Sequence, residues 1–503
     1  MTESSGSKFV VAGLLLGIFM AAIDNTIVAT AMGTIVSDLG SYEKFVWVTA
    51  GYMVAVMAGM PIYGKLSDMY GRKLFFLFGL LAFLIGSVLC GTAQSMNQLI
   101  TYRVIQGIGG GALMPIAFTI IFDLFPPEKR GKMTGLFGAV FGLSSVLGPL
   151  LGAFITDTLS WNWVFYINIP IGAVAFFFIL RHYHEERNPA KQKIDWLGAS
   201  TLVTAIICLM IALELGGKAY AWDSGLILFL FTISGIAFSA FFIVERKASE
   251  PIISFWMFKN RLFATSQILA FLYGGTFILL AVFIPIFVQA VYGGSATSAG
   301  FILMPMMLGS VAGSMVGGLL QTKVSFRSLM AISVGCFFVG MFMLSGISAE
   351  TSRVMLSLYM ALTGFGVGFS FSLLPAASIN GISPRFRGSA NSTNSFLRSF
   401  GMTVGVTIFG TIQTSIFSSR LSQATTGQPG NISDTGDIQQ IFQPESRVNI
   451  PPELLSELTL AMSDSITFIF TLALIPIFMA VITVCFMGNE RVLTTKEMEK
   501  RAT

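Results

Sequence analysis

About fourteen stretches of roughly 20 apolar residues, joined by short polar connections, dominate this chain, the first over 9–32 and the last over 465–487. A bilayer core about 30 Å thick is crossed by a helix of about 20 residues. The pattern therefore predicts an all-α membrane protein with fourteen transmembrane helices. Composition agrees: of 503 residues 54% are hydrophobic and only 11% charged, with a mean hydropathy of +0.77, far from the balance of a soluble domain. Fifty-two glycines do not argue against helices here, because small residues let membrane helices approach closely. The first span is long and leads directly into further spans, so it reads as retained in the protein rather than as a signal peptide.

Lys and Arg set the orientation. With the N-terminus in the cytoplasm, 23 of the 30 basic residues fall on that side and five outside, with Arg103 and Arg398 inside spans. This bias is the positive-inside pattern. An even span count then places both termini in the cytoplasm of a multi-pass protein of the plasma (inner) membrane, in a bacterial cell. The net charge of +5 follows from topology and gives no support to a nucleic-acid partner. Cys90, Cys208, Cys336 and Cys485 lie in separate apolar spans, so neither a disulfide framework nor a metal site is expected.

A weak internal repeat divides the chain. Gly107 is followed twenty residues later by Pro127, opening PEKRG, and at an offset of 257 Gly364 is followed twenty residues later by Pro384, opening PRFRG. GKLSDMYGRK (64–73) has an echo in GLLQTKVSFR (318–327), shifted by three residues. Parallel six-span repeats with a cavity at their interface are a transporter architecture. The expected organisation is an N-terminal six-helix half over 1–181, linkers with two inserted helices over 182–261, and a C-terminal half over 262–503 that includes an outer loop at 417–464. His182 and His184 read as part of a solvated linker, not a metal site. PPELLSELTLAM (451–462) reads as a tether or a short surface helix, and Asn431 opens a chance glycosylation sequon.

Ionisable groups deep in a bilayer are costly and mark function. Asp24 lies roughly 12 Å below the outer end of span 1, and Arg103 roughly 9 Å below that of span 4, at 1.5 Å per residue. Apolar surroundings favour the neutral acid and a nearby guanidinium favours the carboxylate, so a modest rearrangement between them would move a proton on or off Asp24. A static ion pair, or Asp24 bonded to Asn25 or Thr26, would use the same residues without coupling. Under the 257 offset Arg103 aligns with Met360, so the second half lacks this chemistry.

Several motifs together resemble one family. GKLSDMYGRK (64–73) between spans 2 and 3, LITYRVIQGIGGGA (99–112) in span 4, GLSSVLGPLLGA (142–153) in span 5, AIDNTIVATAM (22–32) and WNWVFYINIPIG (161–172) are similar to the fourteen-span drug:proton antiporter branch of the major facilitator superfamily. Gly64 and Gly71 permit a tight interhelical turn. The resemblance implies that Asp68, Arg72 and Asp123 form a charge relay holding the outward-open state, and that Gly148 and Pro149 form a hinge or seal in span 5. Met69 stands where the family has a basic residue.

Tyr52, Met114, Gln289 and Asn394 are the candidate substrate contacts. Met and aromatic walls suit loosely specified apolar ligands. The expected activity is proton-coupled export of small lipophilic, cationic or zwitterionic compounds by a monomer, with export of a lipid or other amphiphile as the alternative. No cofactor is called for. No P-loop is present, no cluster of His, Cys or carboxylates suggests an enzyme, and no loop is long enough for a sensor's output domain.

Overall fold

The computed structural model describes residues 5–41, 44–185, 194–217, 219–248, 250–294, 296–424, 452–493 and 497. The first half comprises α1 (Ser5–Leu39), α2 (Val46–Tyr70), α3 (Arg72–Gly91), α4 (Met96–Leu124), α5 (Pro127–Thr158) and a sixth crossing made of a short α6 (Trp163–Tyr166) and α7 (Asn168–His182). The inserted pair is α8 (Trp196–Leu215) and α9 (Gly225–Lys247). The second half comprises α10 (Arg261–Ala290), α11 (Ala296–Leu320), α12 (Phe326–Leu344), α13 (Arg353–Ile379), α14 (Arg387–Ala424) and α15 (Pro452–Phe486). Among the described residues thirteen crossings are long and apolar enough to span a membrane. The remaining long helix, α5, packs along α1 and α11. Residues 425–451, with the sequon at Asn431, lie outside the described residues.

These helices are apolar on more than one face, as membrane spans are. On α3, Phe76, Leu80 and Phe83 are fully buried, while Leu74, Phe78, Leu81 and Ile85 on the other face are exposed and suited to lipid. Polar caps begin many of the spans: the side chains of Ser95, Ser325 and Ser352 accept backbone N–H bonds at the starts of α4, α12 and α13, and Asn260 does so at α10.

The 257-residue repeat has a structural counterpart. α4 starts at Met96 and α13 at Arg353; α4 packs between α2 and α3 as α13 packs between α11 and α12. The paired glycines have one job. A Cβ on Gly107 would strike the carbonyl of Tyr52 in α2, and one on Gly364 would strike the carbonyl of Met306 in α11. Backbone contact of this kind requires glycine.

The halves meet through α2 with α14 and α5 with α11. At the end carrying the 64–73 loop, called here the basic end, both seams close on backbone: Gly64 lies against Ser392 and the carbonyl of Gly388, and Gly131 against the carbonyl of Gly318. Gly64 was expected in the interhelical turn, but it sits within α2, where its missing side chain admits α14. The turn itself belongs to Gly71, whose φ of 107° favours glycine.

Candidate transport site

Asp24 and Arg103 come together, both with no exposed surface. Arg103 Nη1 donates to Asp24 Oδ2 at 2.5 Å and to Gln106 Oε1 at 2.5 Å, and Arg103 Nε donates to the Val48 carbonyl at 3.2 Å. The other carboxylate oxygen accepts from Gln106 Nε2 at 2.8 Å and Asn168 Nδ2 at 3.0 Å. Ser87 Oγ accepts from those same two amides at 2.8 and 3.3 Å. The guanidinium carbon lies 4.2 Å from the centre of the Tyr52 ring. The network thus ties α1, α2, α3, α4 and α7 of the first half. Neither Asn25 nor Thr26 bonds to Asp24: Asn25 Nδ2 donates to the Ala21 carbonyl and its side chain lies beside Tyr52, and Thr26 Oγ1 donates to the carbonyls of Ile23 and Ser144. Gln106 was findable from sequence, since it follows Arg103 by three positions and shares its helix face. Ser87 and Asn168, on other helices, were not.

A cavity of about 680 Å³ lies between the halves. It is walled by eight methionines, Met57, Met60 and Met114 among them, and by aromatic rings including Phe277 and Phe371. The wall reaches Met32 and Phe45, at the ends of α1 and α2 remote from the basic end. Tyr52 and Met114 line it as expected from sequence. Gln289 and Asn394 do not. Gln289 Nε2 bonds back to the Pro285 carbonyl of its own helix, and Asn394, fully buried, bonds to Ser266 and Gln267 in the α10–α14 packing. Asp24 is not in the wall, but its neighbour Asn25 is, and Tyr52 belongs to both cavity and ion-pair network. Two charged wall residues escaped the list of candidate contacts, Glu214 of α8 and Arg398 of α14.

At the basic end Asp68 reaches across the seam. Its carboxylate accepts the backbone N–H of Gly388 at 2.8 Å and of Ser389 at 2.7 Å. These are among the first, otherwise orphaned donors of α14, where the helix dipole also favours an anion. Arg72 bonds to Asp68 at 3.4 Å, to the Pro384 carbonyl at 2.9 Å, and ion-pairs with Asp123. Asp123 is also held by Arg387 of the second half at 2.9 Å. Asp68, Arg72 and Asp123 are thus brought together as expected. Beside them Glu250, in the linker after α9, bonds to Lys65 at 2.7 Å and to Arg385. Ser389 Oγ donates to the carbonyl of Ile252 in the same linker at 2.6 Å. The inserted helices therefore deliver a strap across the seam, which no sequence repeat announces.

In α5, a Cβ on Gly148 would strike Thr26 Oγ1 of α1, and Pro149 follows within the helix. The glycine accounts for the close α1–α5 approach. His182 stacks on Phe9 with ring centres 4.7 Å apart, and no group of three or more potential metal ligands occurs among the described residues.

Two related six-helix halves, a cavity between them and a seam closed at one end form the architecture of a membrane transporter. The chain belongs to the major facilitator superfamily: residues 14–406 match the family described as Major Facilitator Superfamily. It is 70% identical to Multidrug resistance protein 3 of Bacillus subtilis (strain 168) over 505 aligned residues, covering 99% of each chain. It is 34% identical to Multidrug transporter protein MdtP of the same organism, covering 99% of this chain and 97% of that one. Among solved structures it resembles the proton:xylose symporter XylE with a TM-score of 0.61 at 14% identity, over 98% of each chain. That likeness concerns the fold alone.

Proposed function

We propose that this chain exports lipophilic compounds across the plasma membrane in exchange for protons. The observation that carries the reading is Tyr52: one ring that stacks on the buried Arg103 and also lines the apolar cavity. Full-length similarity to proteins named for multidrug resistance and multidrug transport supports a loosely specified apolar cargo. The Met and aromatic wall supports it too, because flexible thioethers repack around different ligands.

In this reading the basic end faces the cytoplasm, as the Lys and Arg bias directs, and the cavity faces outward. Asp68, Arg72, Asp123 and Arg387 hold the cytoplasmic seam shut, and Gly148 with Pro149 gives α5 a place to bend. A proton arriving at Asp24 neutralises the carboxylate and weakens its bond to Arg103. The guanidinium keeps its bonds to Gln106 and to the Val48 carbonyl. α1 is thereby loosened from α4, and Tyr52 conveys the change to the cavity. Once the cytoplasmic side has opened, cargo entering from it favours release of the proton to the cytoplasm, and the Asp24–Arg103 bond re-forms as the cargo is carried outward. The test is a proteoliposome assay in which an imposed proton gradient drives a lipophilic dye. Asp24→Asn, which keeps the shape of the side chain but cannot carry the proton, should abolish gradient-driven flux; unchanged flux would sink the assignment.

A further inference from the structure

Arg398 is a buried cation that neither the proton cycle nor the cytoplasmic seam uses. It lies in the wall of the central cavity, only 8% exposed, on α14 of the half that lacks the Asp24 chemistry. Among the described residues its hydrogen bonds go to Ser370: Nη1 to Ser370 Oγ at 3.3 Å and Nη2 to the Ser370 carbonyl at 2.9 Å. The face of Phe371 lies 4.8 Å from its guanidinium carbon. Arg103 is matched by Asp24, and Arg72 and Arg387 by Asp123, but among the described residues no carboxylate is within ion-pairing distance of Arg398. A guanidinium has five N–H donors, and two are used here. Its Nε is not among the sealed, unsatisfied atoms, which include Arg103 Nη2 and Arg387 Nε, so at least that donor keeps accessible surface in a residue that lines the cavity.

A guanidinium that faces a largely apolar cavity with no carboxylate within ion-pairing distance favours an occupant that supplies the counter-charge. The fork of a guanidinium fits two oxygens of a planar or tetrahedral oxyanion. Ser395, three positions earlier on the same helix face, also lines the cavity and offers a hydroxyl next to it. We propose that Arg398 is an anion subsite, so that the cavity selects drug-sized amphiphiles bearing one carboxylate or sulfonate on an apolar body. The methionines and rings take the body, and Arg398 takes the oxyanion. A volume of about 680 Å³ lies within the range of roughly 300–1,000 Å³ that suits single small ligands. The proposal rests on reading this cavity as the cargo site.

The test compares two dyes that differ only by the anion: anilinonaphthalene sulfonate and its uncharged parent, phenylnaphthylamine. Each is measured by equilibrium dialysis against the full chain in phosphatidylcholine nanodiscs, with empty nanodiscs subtracted. The sulfonate should bind the wild-type protein about ten- to hundredfold more tightly than the parent. Arg398→Gln should remove that preference and leave the parent's affinity within about twofold. Arg398→Lys, which keeps the charge without the fork, should retain part of it. Equal binding of the two dyes by wild type overturns the proposal even if Arg398→Gln fails to fold, and so does an unchanged preference in either variant. Ser399→Trp, which fills the cavity, separates the two readings. If it displaces neither dye, the cargo-site reading fails and this one with it. If it displaces the parent but no sulfonate preference exists, only the anion subsite fails. Adding phosphatidylglycerol to the nanodiscs should leave sulfonate affinity unchanged; competition by it would assign the site to lipid headgroups and overturn selection of drug-sized cargo.

Discussion

Replacing Asp68 by Asn isolates the electrostatic part of the seam. The shape is preserved, but one of the two acceptor oxygens becomes an NH₂ group that points at a backbone N–H. The carboxylate, with its side chain only 2% exposed, accepts from Gly388 and Ser389 in the opposite half. A hydrogen bond to a charged group is worth about 1.5–3 kcal/mol. Losing one such bond and reducing the other to a neutral one removes about 2–4 kcal/mol. Because both bonds cross the seam, they exist only while the basic end is closed, and the whole loss falls on the closed–open equilibrium. That corresponds to a shift of about 30- to 700-fold toward opening. Amide hydrogen exchange reports it directly: peptides covering 384–392 should exchange faster by that factor, up to the ceiling reached when the open state predominates. If the halves part as rigid bodies, peptides at the start of α5 and the end of α11, where Gly131 meets Gly318, should lose protection in parallel. An increase below about threefold would refute the energetic argument, and a change confined to 384–392 would show that Asp68 merely caps α14.

Arg103→Met and Asp24→Asn should each destabilise the fold by up to about 3–5 kcal/mol, because either leaves one member of a sealed pair without its partner. Thermal unfolding of both single variants and of the double variant checks this: the double variant should recover part of the loss, and strictly additive effects would contradict it. Gly364→Ala should lower the unfolding temperature through overpacking of about 1–3 kcal/mol, since its Cβ meets the Met306 backbone, which cannot move as a side chain tip can. Gly335→Ala, with open space at its Cβ, is the control and should be neutral or slightly stabilising.

Particular residues show where the reading of the chain succeeded and where it stopped. Asp24 and Arg103 were legible as partners because two rare charges at similar depth in a bilayer have few alternatives. Gly107 and Gly364 were legible as equivalents because the repeat preserved them, and the structure supplies their reason in the carbonyls of Tyr52 and Met306. Gln289 and Asn394 were misassigned to the cavity for one physical cause. A span surrounded by lipid on one side and packed core on the other is apolar on both, so its sequence carries no sign of which face turns inward. The same cause hid Arg398 and Glu214 as wall residues.

Sequence alone thus pointed to the membrane location, the six, two and six division and the pairing of Asp24 with Arg103, because each rests on hydropathy, on repeat spacing or on the scarcity of buried charge. Only the tertiary structure decided which helix faces line the cavity, that Glu250 of the inserted segment straps the seam through Lys65 and Arg385, and that Asp68 caps a helix of the other half. Those contacts join residues more than a hundred positions apart, and no local pattern records the rotation of one helix against another.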